Sequence, residues 1–263
     1  MRILVTNDDG IYAPGLWSLV RELKNIGKVM VVAPDREQSA TGASITLHHP
    51  LRVQRIRPEV SGVESYTVGG TPGDCAIMAI CHLAGGKLDL CVSGVNNGPN
   101  IGVDVFQSGT VGGALQGYLH GLSAIAVSVD EIDSAYIDIA AKFTALMVSR
   151  LEKMPETYLF NVNLPAVSVD KIKGIRISRL STACLADTVE EGHDGRRRYY
   201  WLKYQKLNTN VSSATDDWAV SRHYISISPL HRYLFGKTIY PNGAFTGLLP
   251  ELQQQCRKHE SGS

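Results

Sequence analysis

Apolar residues fall along this chain in two alternating rhythms, short unbroken runs and longer stretches at helical spacing. Ile3, Leu4 and Val5 form the first run, and behind Pro14 the residues Leu16, Trp17, Leu19, Val20, Leu23 and Ile26 recur on one helical face. Val29 to Ala33 is a second run. A helix from Asp74 to Leu83 leads into a strand at Leu88–Ser93, and a helix starting near Thr110 leads into Ala124–Ser128. The amphipathic stretch Ser134–Lys153 then leads into Tyr158–Asn163. Continuous apolar strands alternating with helices predict a doubly wound, mostly parallel α/β sheet covered on both faces. From Ile172 the rhythm changes to short β-like segments, Ile175–Ser178, Tyr199–Leu207 and Tyr224–Ser228, with a charged loop expected at Glu190–Arg198. The chain is thus expected to have an α/β catalytic core at 1–171. Residues 172–263 form a hairpin-rich, extended β appendage that completes the same domain, ending in a frayed polar tail at Lys258–Ser263.

With 263 residues and 44% hydrophobic composition the chain can bury a large core. Its 26 basic and 25 acidic residues leave no global field to attract a nucleic-acid duplex or an anionic membrane, so anion recognition has to be local. Arg196, Arg197 and Arg198 stand beside Glu190, Glu191 and Asp194 and read as a solvated loop. No apolar run approaches the roughly 18 to 20 residues that span a bilayer, and the first run is cut by Asn7, Asp8 and Asp9 before it resembles a signal peptide. Cys75, Cys81, Cys91, Cys184 and Cys256 are odd in number and lack a CxxC pair, which favours reduced thiols and the cytoplasm.

The polar clusters follow the strands, where open parallel sheets bind their ligands. After the first comes Asn7-Asp8-Asp9-Gly10: adjacent carboxylates offer hard oxygen ligands, and Gly10 allows a sharp turn. A single Asp there would read equally as a helix cap. After the second come Asp35, Arg36 and Ser39, with the small-residue loop Ala40–Ser44; alone this is an ordinary turn. After Leu88–Val92 comes Ser93-Gly94-Val95-Asn96-Asn97-Gly98-Pro99-Asn100, whose amides can ligate a metal or donate to a phosphate. Ser108, Gly109 and Thr110 precede a helix, where free N–H groups and the positive dipole end suit a phosphate, or where Ser or Thr simply caps the helix. The chain has no G-x-S-x-G elbow, no Walker-type phosphate loop and no dinucleotide fingerprint after the first strand, and His48 and His49 do not form a zinc pair.

Four stretches in this order, ILVTNDDG at 3–10, VAPDREQS at 32–39, VSGVNNGPN at 92–100 and SGTV at 108–111, resemble the SurE (survival protein E) family of 5′/3′-nucleotidases. The likeness extends through Thr71, Pro72 and Cys75 and through Asp216–Leu230. It implies one divalent cation per subunit, Mg²⁺ or Mn²⁺, held by Asp8, Asp9, Ser39 and Asn96. It also implies phosphate near Asn100, Ser108, Gly109 and Thr110, a nucleoside monophosphate substrate, and a homodimer or homotetramer built partly by exchanged C-terminal segments. Gln107 and Gln116 depart from the family's common Tyr and Glu.

The implied reaction is phosphomonoester hydrolysis, which demands charge neutralisation and positioning. Asp8 and Asp9 are the catalytic candidates, either orienting an attacking water or, for one of them, attacking phosphorus directly. The rival is a non-catalytic nucleotide-binding module, against which the paired carboxylates argue: without a cation they would repel a phosphate. The apolar residues of the appendage, among them Tyr199, Tyr200 and Trp201, predict burial against a second subunit.

Overall fold

The computed structural model describes residues 1–130, 133–152, 154–182, 185–206 and 212–231. Its main sheet has nine strands in the order β3-β4-β2-β1-β5-β6-β7-β11-β8. These are β1 (Arg2–Thr6), β2 (Lys28–Pro34), β3 (Val53–Arg55), β4 (Glu64–Val68), β5 (Leu90–Asn97), β6 (Ser123–Val129), β7 (Leu159–Leu164), β8 (Ile175–Ile177) and β11 (Ile225–Leu230). The six from β4 to β7 are parallel, β3 joins β4 antiparallel, and β11 joins β7 antiparallel and β8 parallel. The chain leaves β1 for β2 on one side and returns to β5 on the other. The crevice beyond β1 and β5 is therefore the topological switch point, where such sheets bind ligands.

Helices cover both faces. On one, α1 (Pro14–Leu23) and α4 (Ser134–Leu151) close a core with Ile3, Val5, Val31, Val92, Ile125 and Val162. Pro14 starts α1 with its fixed φ and absent N–H, and the Trp17 indole donates to the Ile11 carbonyl at 2.6 Å, pinning the helix to the loop after β1. On the other face, α2 (Pro72–Met78) and α3 (Gly109–Leu119) cover Leu4, Val32, Cys91, Ala124 and Leu159. A capping box starts α2: Thr71 accepts from the Asp74 N–H and the Asp74 carboxylate from the Thr71 N–H. The turns that follow, Ala79–Leu83, continue as π-helix.

The alternation anticipated the central strands, but several details differ. Strands β3 and β4 were absent from the expectation because they are short, and β3 is largely exposed and β4 alternates in burial, so neither forms an apolar run. The expected strand Leu88–Ser93 runs on to Asn97 through a register shift between Ser93 and Asn96, which carries the amide-rich segment into the sheet. The charged stretch Glu190–Arg198 is not one loop. Glu190–His193 finish β9 (Leu185–His193), Arg198 starts β10 (Arg198–Lys206), and only the turn between them remains. The charges sit in the hairpin because they pair across it, Lys203 with Glu190 and Arg198 with Glu191 at 3.4 Å. A short helix, α5 (Asp216–Ser221), precedes β11. Leu207, Lys153, Cys184, Cys256 and the tail at 258–263 lie outside the described residues. No helix among the described residues is long and apolar enough to cross a membrane.

Candidate metal and phosphate site

The loop leaving β1 places two carboxylates side by side at the switch point. Asn7 donates from Nδ2 to the Gly10 carbonyl at 2.9 Å, and Gly10, at φ +94°, turns the chain toward α1. Asp8 is 4% exposed and Asp9 partly exposed. The Gln38 N–H donates to the Asp8 carbonyl at 2.7 Å, which docks the loop after β2 on the loop after β1. Ser39 stands at its open edge, its hydroxyl donating to Glu37 at 2.7 Å.

Asp8 also receives the start of α3. The Thr110 hydroxyl donates to Asp8 Oδ1, and the Thr110 N–H reaches the same carboxylate. Gly109 makes this approach possible: a Cβ there would lie 2.8 Å from Asp8 Cβ and 3.0 Å from the Gln38 carbonyl oxygen. Ser108 is the N-cap, its Oγ accepting from the Val111 N–H at 3.1 Å. The Thr110 hydroxyl is thus committed to the carboxylate, whereas the Ser108 hydroxyl keeps its hydrogen for an anion. The two readings of this SGT segment, cap and cradle, coexist in one residue.

From β5, the Asn97 N–H points at Asp9. Asn96 donates from Nδ2 to the Gly98 carbonyl at 2.8 Å, which turns its amide oxygen free for a cation. Asn100 is 8% exposed and is held from beneath: its N–H donates to Asn163 Oδ1 at 2.8 Å and its Nδ2 to Ser128 Oγ at 2.8 Å. Gln107 is exposed and accepts the Gly42 N–H at 2.8 Å through its carbonyl. Gln116 packs against Gly73 of α2, nearly two turns along α3 from Thr110, about 9 Å at 1.5 Å per residue.

Burial pushes the Asp8 carboxyl above the ordinary 3.8, against the lowering effect of Thr110. Burial, then the charge of Asp8, pushes Asp9 up to about 7, with the Asn97 N–H opposing and Glu37 adding to the rise. Two such neighbours hold their charges poorly alone and well beside a cation. Among the described residues no three His, Cys, Asp or Glu side chains converge as a metal site. The donor set is two carboxylates with a hydroxyl and an amide oxygen, all hard oxygens, which fit Mg²⁺ or Mn²⁺ rather than a thiophilic ion.

Sequence reasoning passed over Glu37, whose charge is felt by both aspartates, and Asp216, which lies buried under the loop before α3 and accepts from the Gly102 and Ser181 N–H groups at 2.8 and 2.9 Å. The acidic step from Thr215 into Asp216-Asp217 was the available sign of a helix start. The Cys75, Cys81 and Cys91 thiols are free, and burial pushes Cys91 up to about 12, so it is inert packing.

The family model of Survival protein SurE matches residues 3–187. The 5′-nucleotidase SurE of Dehalococcoides mccartyi (strain CBDB1) is 47% identical over 244 residues, 91% of this chain and 92% of its own. That of Syntrophomonas wolfei subsp. wolfei is 42% identical over 236 residues, 88% of this chain and 89% of its own. The crystal structure of the SurE protein from Aquifex aeolicus superposes with a TM-score of 0.76 at 33% identity, covering 95% of this chain and 100% of that one. Fold, site order and sequence agree: the chain belongs to the SurE family.

Proposed function

We propose that this protein is a divalent-metal-dependent 5′-nucleotidase that hydrolyses nucleoside 5′-monophosphates, and 3′-monophosphates as well, to nucleoside and phosphate. The observation that carries the reading is the juxtaposition of Asp8 and Asp9 with the N-terminus of α3 at the switch point, an anionic pair facing a set of anion-seeking donors. The Thr110 donors match part of the Asp8 charge, and a cation beside the pair would let the remaining charge coexist with a bound phosphate. The names of the relatives, 5′-nucleotidase SurE, support the substrate class.

Asp8, Asp9, Ser39 and Asn96 would hold the cation, which when bound neutralises phosphoryl charge and lowers the pKa of a water. The Ser108 hydroxyl, the Gly109 N–H and the remaining Asn100 amide hydrogen orient the phosphate. Thr110 holds Asp8 in place, so that one carboxylate oxygen stays directed at the cation side. Asp9, the more open of the two, is the group placed to orient the attacking water. The cytoplasm suits the free thiols, and the exposed aromatic residues of the hairpin suit a homodimer or homotetramer.

Phosphate release from AMP, GMP, 3′-AMP and p-nitrophenyl phosphate, with Mg²⁺ or Mn²⁺ and with chelator, tests this. Release that depends on the metal and is strongest with nucleotides is expected. Equal release in chelator would remove the metal from the mechanism, and tight binding of AMP without release would favour a binding module.

A further inference from the structure

Residues 97–107 connect the metal side of the site to its phosphate side, and apart from the end of β5 at Asn97 and one 3-10 turn at Gly102–Phe106 they have little regular structure of their own. Their middle is nonetheless fixed. The Asn100 N–H donates to Asn163 Oδ1 at 2.8 Å, while its carbonyl accepts from Asn163 Nδ2 at 3.0 Å and from Asn161 Nδ2 at 2.7 Å. One carboxamide therefore satisfies both backbone groups of a residue outside the strand, as a neighbouring strand would. Asn161 and Asn163 are alternate residues of β7, both 0% exposed and on one face, with Val162 pointing into the opposite core. Apolar side chains would serve the sheet at lower desolvation cost at these positions. What the amides add is the location of Asn100.

We infer that Asn163, backed by Asn161, is a positioning residue for phosphate hydrolysis: it locks the Asn100 peptide so that Asn96 and the Ser108–Gly109 donors keep a fixed separation across the substrate phosphate. The inference rests on the metal and phosphate reading above. Neither asparagine touches the reacting atoms. Their effect passes through the loop, and a displacement of the order of 1 Å is enough to cost about 100-fold in rate.

The test compares Asn163→Leu with Val162→Ala, a change on the other face of the same strand, in three measurements: thermal midpoint, kcat/KM for AMP, and affinity for Mn²⁺ and for inorganic phosphate in its presence. Both variants should melt earlier. Below melting, Val162→Ala should keep turnover within about twofold, while Asn163→Leu should lose about 100-fold in kcat/KM and at least about tenfold in phosphate affinity, with Mn²⁺ affinity nearly unchanged. Should Asn163→Leu fail to fold, Asn161→Ala, which removes one of the three backbone bonds, should weaken phosphate binding by about three- to tenfold. Wild-type phosphate affinity in the asparagine variants, or equal losses in Val162→Ala, would overturn the inference while leaving the nucleotidase reading intact. A wild-type protein that neither releases nor binds phosphate would overturn both.

Discussion

Replacing Asp9 by asparagine removes one charge from the site while keeping its size and its hydrogen bonds, so stability and activity should move in opposite directions. Burial, and then Asp8, raise the Asp9 carboxyl from the ordinary 3.8 to about 7. An acid whose pKa is raised by folding contributes stability that is fully present below about pH 4 and is lost as the pH climbs through about 7. The gap corresponds to about 4 kcal/mol at about 1.4 kcal/mol per tenfold change; partial exposure of Asp9 screens it to the order of 2 kcal/mol. In chelator at pH 8, Asp9→Asn should therefore be the more stable protein by about 2 kcal/mol, roughly 4 to 8 °C for a chain of this size. The difference should shrink toward zero at pH 4. With Mn²⁺ present the order should reverse, because the wild type gains the binding energy of the cation and the variant gains less. Differential scanning fluorimetry across pH with chelator and with Mn²⁺, alongside phosphate release from AMP, reads all of this. Near-normal turnover of the variant, or a stability gain that does not depend on pH, would refute the reasoning.

Gly109→Ala places a Cβ 2.8 Å from Asp8 Cβ and 3.0 Å from the Gln38 carbonyl, so the start of α3 has to retreat from the carboxylate; turnover should fall more than about tenfold for a stability loss of about 1 to 3 kcal/mol, read by steady-state rates and urea melts. Asp216→Ala leaves the Gly102, Ser181 and Asp217 N–H groups without their acceptor in a site that is 0% exposed, and should cost about 3 to 5 kcal/mol by urea denaturation; a loss under about 1 kcal/mol would contradict it. Trp201 is 64% exposed on the hairpin, and Trp201→Asp should shift the protein toward a 28.6 kDa monomer by light scattering, whereas a monodisperse wild-type monomer would end the oligomer proposal.

Much of the architecture was legible because the middles of β1, β2 and β6 are buried on both faces and apolar there, while α1 carries Leu16, Leu19, Val20 and Leu23 at helical spacing behind Pro14. Pro14 marked the start of α1 by local chemistry alone, whereas the capping box of Thr71 and Asp74 starts α2 at Pro72, two residues before the expected Asp74. The strand β9 was not legible for the opposite reason. Glu190 and Glu191 lie opposite Trp201 and Tyr200, and Lys203 and Arg198 reach them diagonally across the hairpin, a pairing that exists only once the hairpin has formed.

The site was legible as loops and illegible as contacts. Asp8, Asp9 and Ser39 follow strands, Asn96 lies in the extended end of β5 and Ser108 caps a helix, and a parallel sheet delivers all such positions to one edge. The bonds that join them cross long stretches of chain: Thr110 to Asp8 over 102 positions, Asn100 to Asn163 over 63, and Gly102 to Asp216 over 114. No local pattern encodes these. Yet the strands carried a trace of them. The stretch 158–163 reads as an ordinary strand, yet Asn161 and Asn163 interrupt its apolar run, and β11 carries Ser226 and Ser228 at the paired positions. Amides and hydroxyls on a fully buried strand face raise the energy of the sheet unless something above them needs holding. Here Asn161 and Asn163 hold Asn100, the middle of the connection between the metal and phosphate sides. A polar residue that breaks the rhythm of a buried strand is therefore as informative as a polar cluster in the loop beyond it, because the loop supplies the donors while the strand fixes the distance between them.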